Sequence, residues 1–167
     1  MSCLLACIVT SSVSATENNK TISYIEMSTE SWTFSLPDSW EPKKTEGGIR
    51  ADSEDGVQAV FISTYLISED LSPSEWAENN IKIVKEAKYS APDNSFEFYI
   101  EKVELKQDIQ TFELDGYDKT NSFRIYTKHY RIGNVLVTLS FHDYWCESYK
   151  ASERLSNELL SKFRINT

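Results

Sequence analysis

Hydrophobic and polar positions alternate with period two along most of the chain, and helical spacing interrupts them twice. Trp32, Phe34 and Leu36 alternate with Thr33 and Ser35, the pattern of a half-buried strand, and Pro37-Asp38 stops it. Trp40 and a polar segment lead to Gly47-Gly48, which reads as a turn feeding a strand around Ile49 to Asp52. Asp52 to Gly56 is a second turn, and Val57 to Ile67, rich in β-branched and aromatic residues, predicts another strand. Ser72-Pro73-Ser74-Glu75 then combines a serine N-cap, proline at the first helical position and glutamate three residues on. Trp76, Ile83, Val84 and Ala87 follow at helical spacing, so the spacing predicts a helix ending before Pro92.

From Phe96 the period returns to two. Phe96, Phe98 and Ile100 share one face, while Val103 and Leu105 have the opposite parity, which predicts a bulge near Glu101-Lys102. Ile109 to Leu114 predicts a strand closed by Asp115-Gly116. Phe123 to Tyr130 and Asn134 to Phe141 flank the hairpin connection Arg131-Ile132-Gly133, with Val135, Val137, Leu139 and Phe141 on the core face. Ala151, Leu155, Leu159 and Phe163 recur every fourth residue, with Leu160 widening the stripe of a terminal helix. Strands, a helix, more strands and a C-terminal helix make an α+β fold: an antiparallel sheet of about six strands with two main helices packed against it.

The first 15 residues, MSCLLACIVTSSVSA, carry no charge and are too short for a membrane-spanning helix. Val13-Ser14-Ala15 places small residues where a signal peptidase reads, which predicts a signal peptide over residues 1–15 and a mature start at Thr16. Two alternatives stay open. Leu4-Leu5-Ala6-Cys7 is similar to a lipobox with Cys7 as the lipidated residue, and the segment also suits a structural N-terminal strand or helix. Residues 16–29 read as a polar tether and first turn, followed by a single domain over residues 30–167. Loss of the leader would remove Cys3 and Cys7 and leave Cys146 alone, buried and inert.

The run Trp32-Thr33-Phe34-Ser35-Leu36-Pro37-Asp38-Ser39-Trp40 resembles the opening of the PsbP/DcrB-like family. The resemblance continues through the helix Trp76 to Ala87, Leu114-Asp115-Gly116, the late strand Gly133 to Phe141 and the closing helix Ala151 to Phe163. It covers roughly residues 30 to 165. It implies a compact antiparallel sheet with helices against it, in a group of binding, accessory or chaperone-like proteins that are often exported or lipid-anchored. No shared catalytic motif comes with it, and Asp38-Ser39 stand where a glycine often precedes the tryptophan.

Composition narrows the function classes. Twenty-six Asp and Glu against 17 Lys and Arg give a net charge of −9 on 167 residues, which argues against nucleic acid or an anionic membrane as the main partner. Chemistry is sparse. His129 and His142 come from adjacent hairpin strands without a metal-binding spacing, and pairing through the hairpin leaves only a weak surface site open. Cys146 lies four residues from His142 without an orienting third group. Asp118-Lys119-Thr120 reads as a polar turn, and Asp52 to Gly56 lacks the carboxylate spacing of a calcium loop. Glu97, Glu101, Glu104, Asp115 and Asp118 read as a solvent face, with no convergent acid, base and nucleophile.

The aromatic content, 13% of residues, exceeds what a small core needs and selects Trp40, Tyr126, Tyr130, Tyr144 and Trp145 as candidate partner-binding residues. The expectation is an exported, periplasmic or secreted, non-catalytic protein without cofactor or metal that binds another protein, its acidity suiting a basic partner. An immunity or inhibitor protein against a secreted toxin or a cell-wall-active enzyme fits that description. The alternative is an envelope accessory or chaperone-like lipoprotein that binds an apolar helix or lipophilic ligand, with a membrane partner only if Cys7 is lipidated.

Overall fold

In the structure, a computed structural model, residues 13–17, 20–67, 72–89, 96–106 and 108–166 are described. In chain order these form β1 (Val13–Glu17), β2 (Lys20–Ser28), β3 (Trp32–Pro37), β4 (Glu41–Thr45), β5 (Gly48–Asp52), β6 (Gln58–Leu66) and α1 (Pro73–Tyr89). There follow β7 (Phe96–Leu105), β8 (Gln110–Asp118), β9 (Phe123–Ile132), β10 (Val135–Asp143), α2 (Tyr149–Leu160) and β11 (Phe163–Ile165). The α+β class and the order strands, helix, strands, helix agree with the periodicity. The strands divide into two sheets, one of four strands in the order β1-β2-β3-β11 and one of seven in the order β4-β5-β6-β10-β9-β8-β7.

Alternation along the strands decides what packs where. Trp32, Phe34 and Leu36 from β3 meet Val60 and Ile62 from β6 and Val137, Leu139 and Phe141 from β10 in one core, all 1% exposed or less. Phe163 closes it, its ring 5.8 Å from Phe34 and 6.1 Å from Trp32. The four-stranded sheet and α2 therefore cover one face of the large sheet. On β8 the neighbours alternate: Phe112 and Leu114 join Trp76 and Ala77 of α1 in a second cluster, while Asp115 faces α2. Helix α1 thus lies on the opposite face of the large sheet.

Local signals explain the ends of the elements. Ser72 and Glu75 exchange the reciprocal capping hydrogen bonds, Ser72 N–H to Glu75 at 3.1 Å and Glu75 N–H to Ser72 Oγ at 3.3 Å, and Pro73 opens α1. Pro42 lies in β4, an edge strand, where a missing N–H costs no ladder bond on the outer side. Gly48 is needed for a different reason: a Cβ there would lie 1.8 Å from the Ile62 carbonyl oxygen. Gly48→Ala is expected to force β5 away from β6 at a cost of about 1–3 kcal/mol, measured as a lower urea midpoint at unchanged m-value.

Several expectations are corrected. Residues 20–28, read as tether, form β2, whose strand pairs place Met27 in the core. The expected cleavage point between Ala15 and Thr16 lies in β1, where Ala15 pairs with Ile22 and Thr16 with Thr21, a register that does not bear on whether the leader is removed. Cys3 and Cys7, and with Cys7 the candidate lipidation, lie outside the described residues. The bulge in β7 falls between Phe98 and Ile100 rather than at Glu101-Lys102; Val103 and Leu105, whose parity suggested the later position, are 40% and 52% exposed. Asp115-Gly116 does not end a strand, because Arg124 pairs with Asp115 inside the protein; β8 runs on to Asp118, which closes the true turn. Asp118 accepts from the Thr120 and Asn121 N–H groups at 2.9 and 3.0 Å. In α2 the buried positions are Ser152, Ser156 and Leu159, whereas Leu155 is exposed and Phe163 belongs to β11.

Candidate functional site

At one end of the seven-stranded sheet three connections come together: residues 53–57 between β5 and β6, 119–122 between β8 and β9, and 144–148 between β10 and α2. The registers Asp143↔Gln58 and Asp143↔Arg124 bring their strands level there. Backbone hydrogen bonds lash the connections to each other. Tyr144 N–H donates to the Val57 carbonyl at 2.8 Å and Cys146 N–H to the Ser122 carbonyl at 2.9 Å. Between them, Trp145 N–H reaches Asp143 Oδ1 at 3.4 Å. Three consecutive amides of the loop are thus held, yet the Trp145 side chain is 75% exposed.

An aromatic row runs from this loop over the part of the sheet face that α1 leaves uncovered. Tyr144 stacks on Phe123 at 5.5 Å, Phe123 meets the His142 ring edgewise at 6.1 Å, and His142 lies 4.7 Å from Phe61. The Arg50 guanidinium sits 5.1 Å over Phe61 and donates to Asp52 at 2.7 and 2.8 Å. A cation held between an aromatic face and a carboxylate is therefore already part of this surface. Around it Glu54, Asp55 and Glu147 are exposed. Donation from the Ser53 hydroxyl and the Val57 N–H holds the Asp55 carboxyl below the usual carboxylate range, so it is ionised at neutral pH.

The structure divides the five aromatic residues selected from the sequence. Trp40 is 8% exposed and belongs to the core, because the turn after β3 folds it under α2. Tyr126 and Tyr130 face the same core from β9, Tyr130 with its ring 5.5 Å from Phe163. Burial raises both phenols, Tyr130 to about 12. Tyr144 and Trp145 reach the surface together. Phe61, Phe123, His142, Arg50 and the three carboxylates were not selected.

The groups weighed for catalysis are dispersed. His129 lies under α1, stacked at 5.0 Å on Phe112, with Nδ1 2.8 Å from Thr138 Oγ1. His142 stands four residues further along β10 from Thr138, about 13 Å at strand rise, so the hairpin keeps the two histidines apart. The Cys146 thiol donates to the Ser122 carbonyl at 3.1 Å, away from His142, and burial raises its pKa. Asp115 is enclosed with Arg124, and Glu104 is bonded to Lys102 and Lys106 on the exposed edge of β7. Among the described residues no group of three or more His, Cys, Asp or Glu is placed to hold a metal ion, and no helix is long and apolar enough to cross a membrane.

No family model matches the chain and no curated protein matches it. Solved structures do. The solution structure of cyanobacterial PsbP (CyanoP) from Synechocystis sp. PCC 6803 superposes with a TM-score of 0.65 over 90% of this chain and 97% of that one, at 13% identity. The chain has a PsbP-like fold, in keeping with the resemblance carried by the Trp32 to Trp40 opening and the order of elements. At that identity the likeness speaks for the fold alone.

Proposed function

We propose that this is an exported, non-catalytic protein whose task is to bind another protein, in the manner of an immunity or inhibitor protein acting on a secreted toxin or a cell-wall-active enzyme. The observation that carries the reading is Trp145: an indole 75% exposed on a loop whose backbone is tied down at Tyr144, Trp145 and Cys146. A large exposed aromatic on fixed backbone costs solubility, and it forms a binding anchor that loses little conformational freedom when a partner covers it. The dispersal of titratable groups and a PsbP-like fold are consistent with binding in place of catalysis. Export rests on the leader-like residues 1–15.

The exported form, co-expressed with a larger secreted toxin encoded beside its gene, is expected to restore growth and to co-purify with that toxin at fixed stoichiometry. Failure of rescue with every such neighbour would remove the immunity reading.

The accessory-lipoprotein reading asks for a groove between sheet and helix. A cleft of about 70 Å³ does open between β2, β3 and α2, lined by Tyr24, Trp40, Leu155 and Leu159. Sites that enclose ligands of drug size run to about 300–1,000 Å³, so this cleft takes one side chain and no lipid. Mass spectrometry of the mature N-terminus separates the two readings: Thr16 excludes the lipoprotein, acylated Cys7 supports it.

A further inference from the structure

We propose that the Trp145 end of the large sheet receives a lysine- and arginine-rich segment of the partner, with a cationic side chain laid on the indole and held by the carboxylates of the neighbouring loops. The proposal deepens the binding reading above and rests on it. Residues 53–57 and 144–148 bring Glu54, Asp55 and Glu147 to the surface and contain no Lys or Arg. In residues 119–122 the cation is Lys119, whose ammonium pairs with Glu97 at 2.8 Å. Arg50, the cation beneath the aromatic row, is bonded to Asp52. The loops therefore offer three exposed carboxylates and an open indole; Lys119 and Arg50 are paired, and the exposed Lys150 follows in the first turn of α2.

Tryptophan presents the strongest aromatic face to a cation, and the same molecule shows that geometry where Arg50 lies over Phe61 beside Asp52. A net charge of −9 draws a basic segment toward this surface and opposes a second copy of the chain there. A fixed loop backbone keeps the cost of ordering low on this side of the interface.

A short alternating Lys-Gly peptide is the probe. Trp32, Trp40 and Trp76 are 1%, 8% and 3% exposed, so acrylamide quenching reports mainly on Trp145. The peptide is expected to bind saturably, to shield Trp145 from the quencher, to shift its indole N–H resonance, and to weaken as salt rises. Trp145→Ala and the triple variant Glu54→Gln, Asp55→Asn, Glu147→Gln are each expected to lose about tenfold or more in affinity, the equivalent of 1.4 kcal/mol. Trp145→Ala should unfold at the wild-type temperature, as exposed substitutions do, and the triple variant slightly below it, because Asp55 accepts from Ser53 and Val57.

The proposal falls if the Lys-Gly peptide does not bind saturably, if a Glu-Gly peptide or a neutral oligosaccharide binds as well, or if both variants keep the affinity. It also falls if Trp145 proves covered by self-association. Co-purification of the toxin that survives Trp145→Ala and the triple variant would overturn this surface while leaving the binding reading in place.

Discussion

Arg124→Met is expected to lower the unfolding free energy by about 3–5 kcal/mol, the range for stranding one member of a buried ion pair. Arg124 and Asp115 are each 1% exposed. The guanidinium donates Nε–H to Asp115 Oδ1 at 2.8 Å and Nη2–H to Oδ2 at 2.6 Å, and its third arm reaches Ser156 Oγ at 2.8 Å. Tyr149 O–H donates to the same carboxylate at 2.9 Å, and the Tyr149 ring lies 5.1 Å from the guanidinium carbon. Burial pushes the Asp115 carboxyl up against the pull of Arg124 and Tyr149, so its charge inside the protein depends on those partners.

Methionine would fill much of the volume and leave that carboxylate with one donor. Urea unfolding should show the loss as a shifted midpoint. The double variant Arg124→Met with Asp115→Leu should recover most of it, because an apolar pair of similar volume replaces a buried ion pair at little cost. If the single variant loses under about 1 kcal/mol, the range of exposed ion pairs, the network is not what seats α2. The consequence reaches the surface, since α2 begins at Tyr149, directly after the Trp145 loop, and Ser148 caps it by accepting from Ala151 N–H at 3.2 Å.

The same network explains where the sequence was legible and where it was not. Local, self-contained signals read correctly: the Ser72-Glu75 capping box, the Asp118 turn, and the alternation of Val137, Leu139 and Phe141 all depend on neighbours within a few residues. Asp115-Gly116 misled because its meaning lies in Arg124 and Ser156, 9 and 41 positions away, and no spacing rule links them. Serines inside an apolar stripe look like the solvent side of a helix. In α2 they are the packed side, since a buried guanidinium needs hydroxyl acceptors, and this rotates Leu155 outward.

The binding end was half legible. Tyr144-Trp145 stood out as aromatics after a strand, but Phe61 and His142 carry no surface signature of their own. Their parity does. In β6, Val60 and Ile62 point to the core, so Phe61 faces the other side, and a strand apolar on both faces implies that both faces are used. Trp40, Tyr126 and Tyr130 were selected by residue type, and type does not distinguish a ring that anchors a partner from one that fills a core.

His129 supplies the last prediction, a loss of stability on acidification that one substitution removes. The ring is 8% exposed, sandwiched on Phe112 of β8, edge-on to Trp76 of α1 at 6.5 Å, with Thr138 of β10 at Nδ1 and no partner at Nε2. Buried Arg131 lies two residues along β9 on the same face, and no carboxylate among the described residues is bonded to the ring. Burial therefore favours the neutral imidazole and lowers its pKa from 6.5 to about 4.

In the unfolded chain the same group titrates near 6.5, so between about 6.5 and 4 the unfolded state binds the extra proton, and stability falls as pH falls through that window. The full shift corresponds to about 3 kcal/mol, lost by pH 4 and present above 6.5. Exposed carboxylates with lowered pKa, such as Asp55, act further down and in the same direction. Subtracting the stability curve of His129→Phe from that of the wild type isolates the histidine: the difference should change by about 3 kcal/mol between pH 7 and pH 4. The offset at pH 7, from the lost Thr138 bond and the altered volume, is independent of pH. A difference curve that stays flat would show that α1 yields to let solvent reach the ring. Hydrogen exchange should then find the amides of Trp76 and Ala77 unprotected well below the global unfolding free energy.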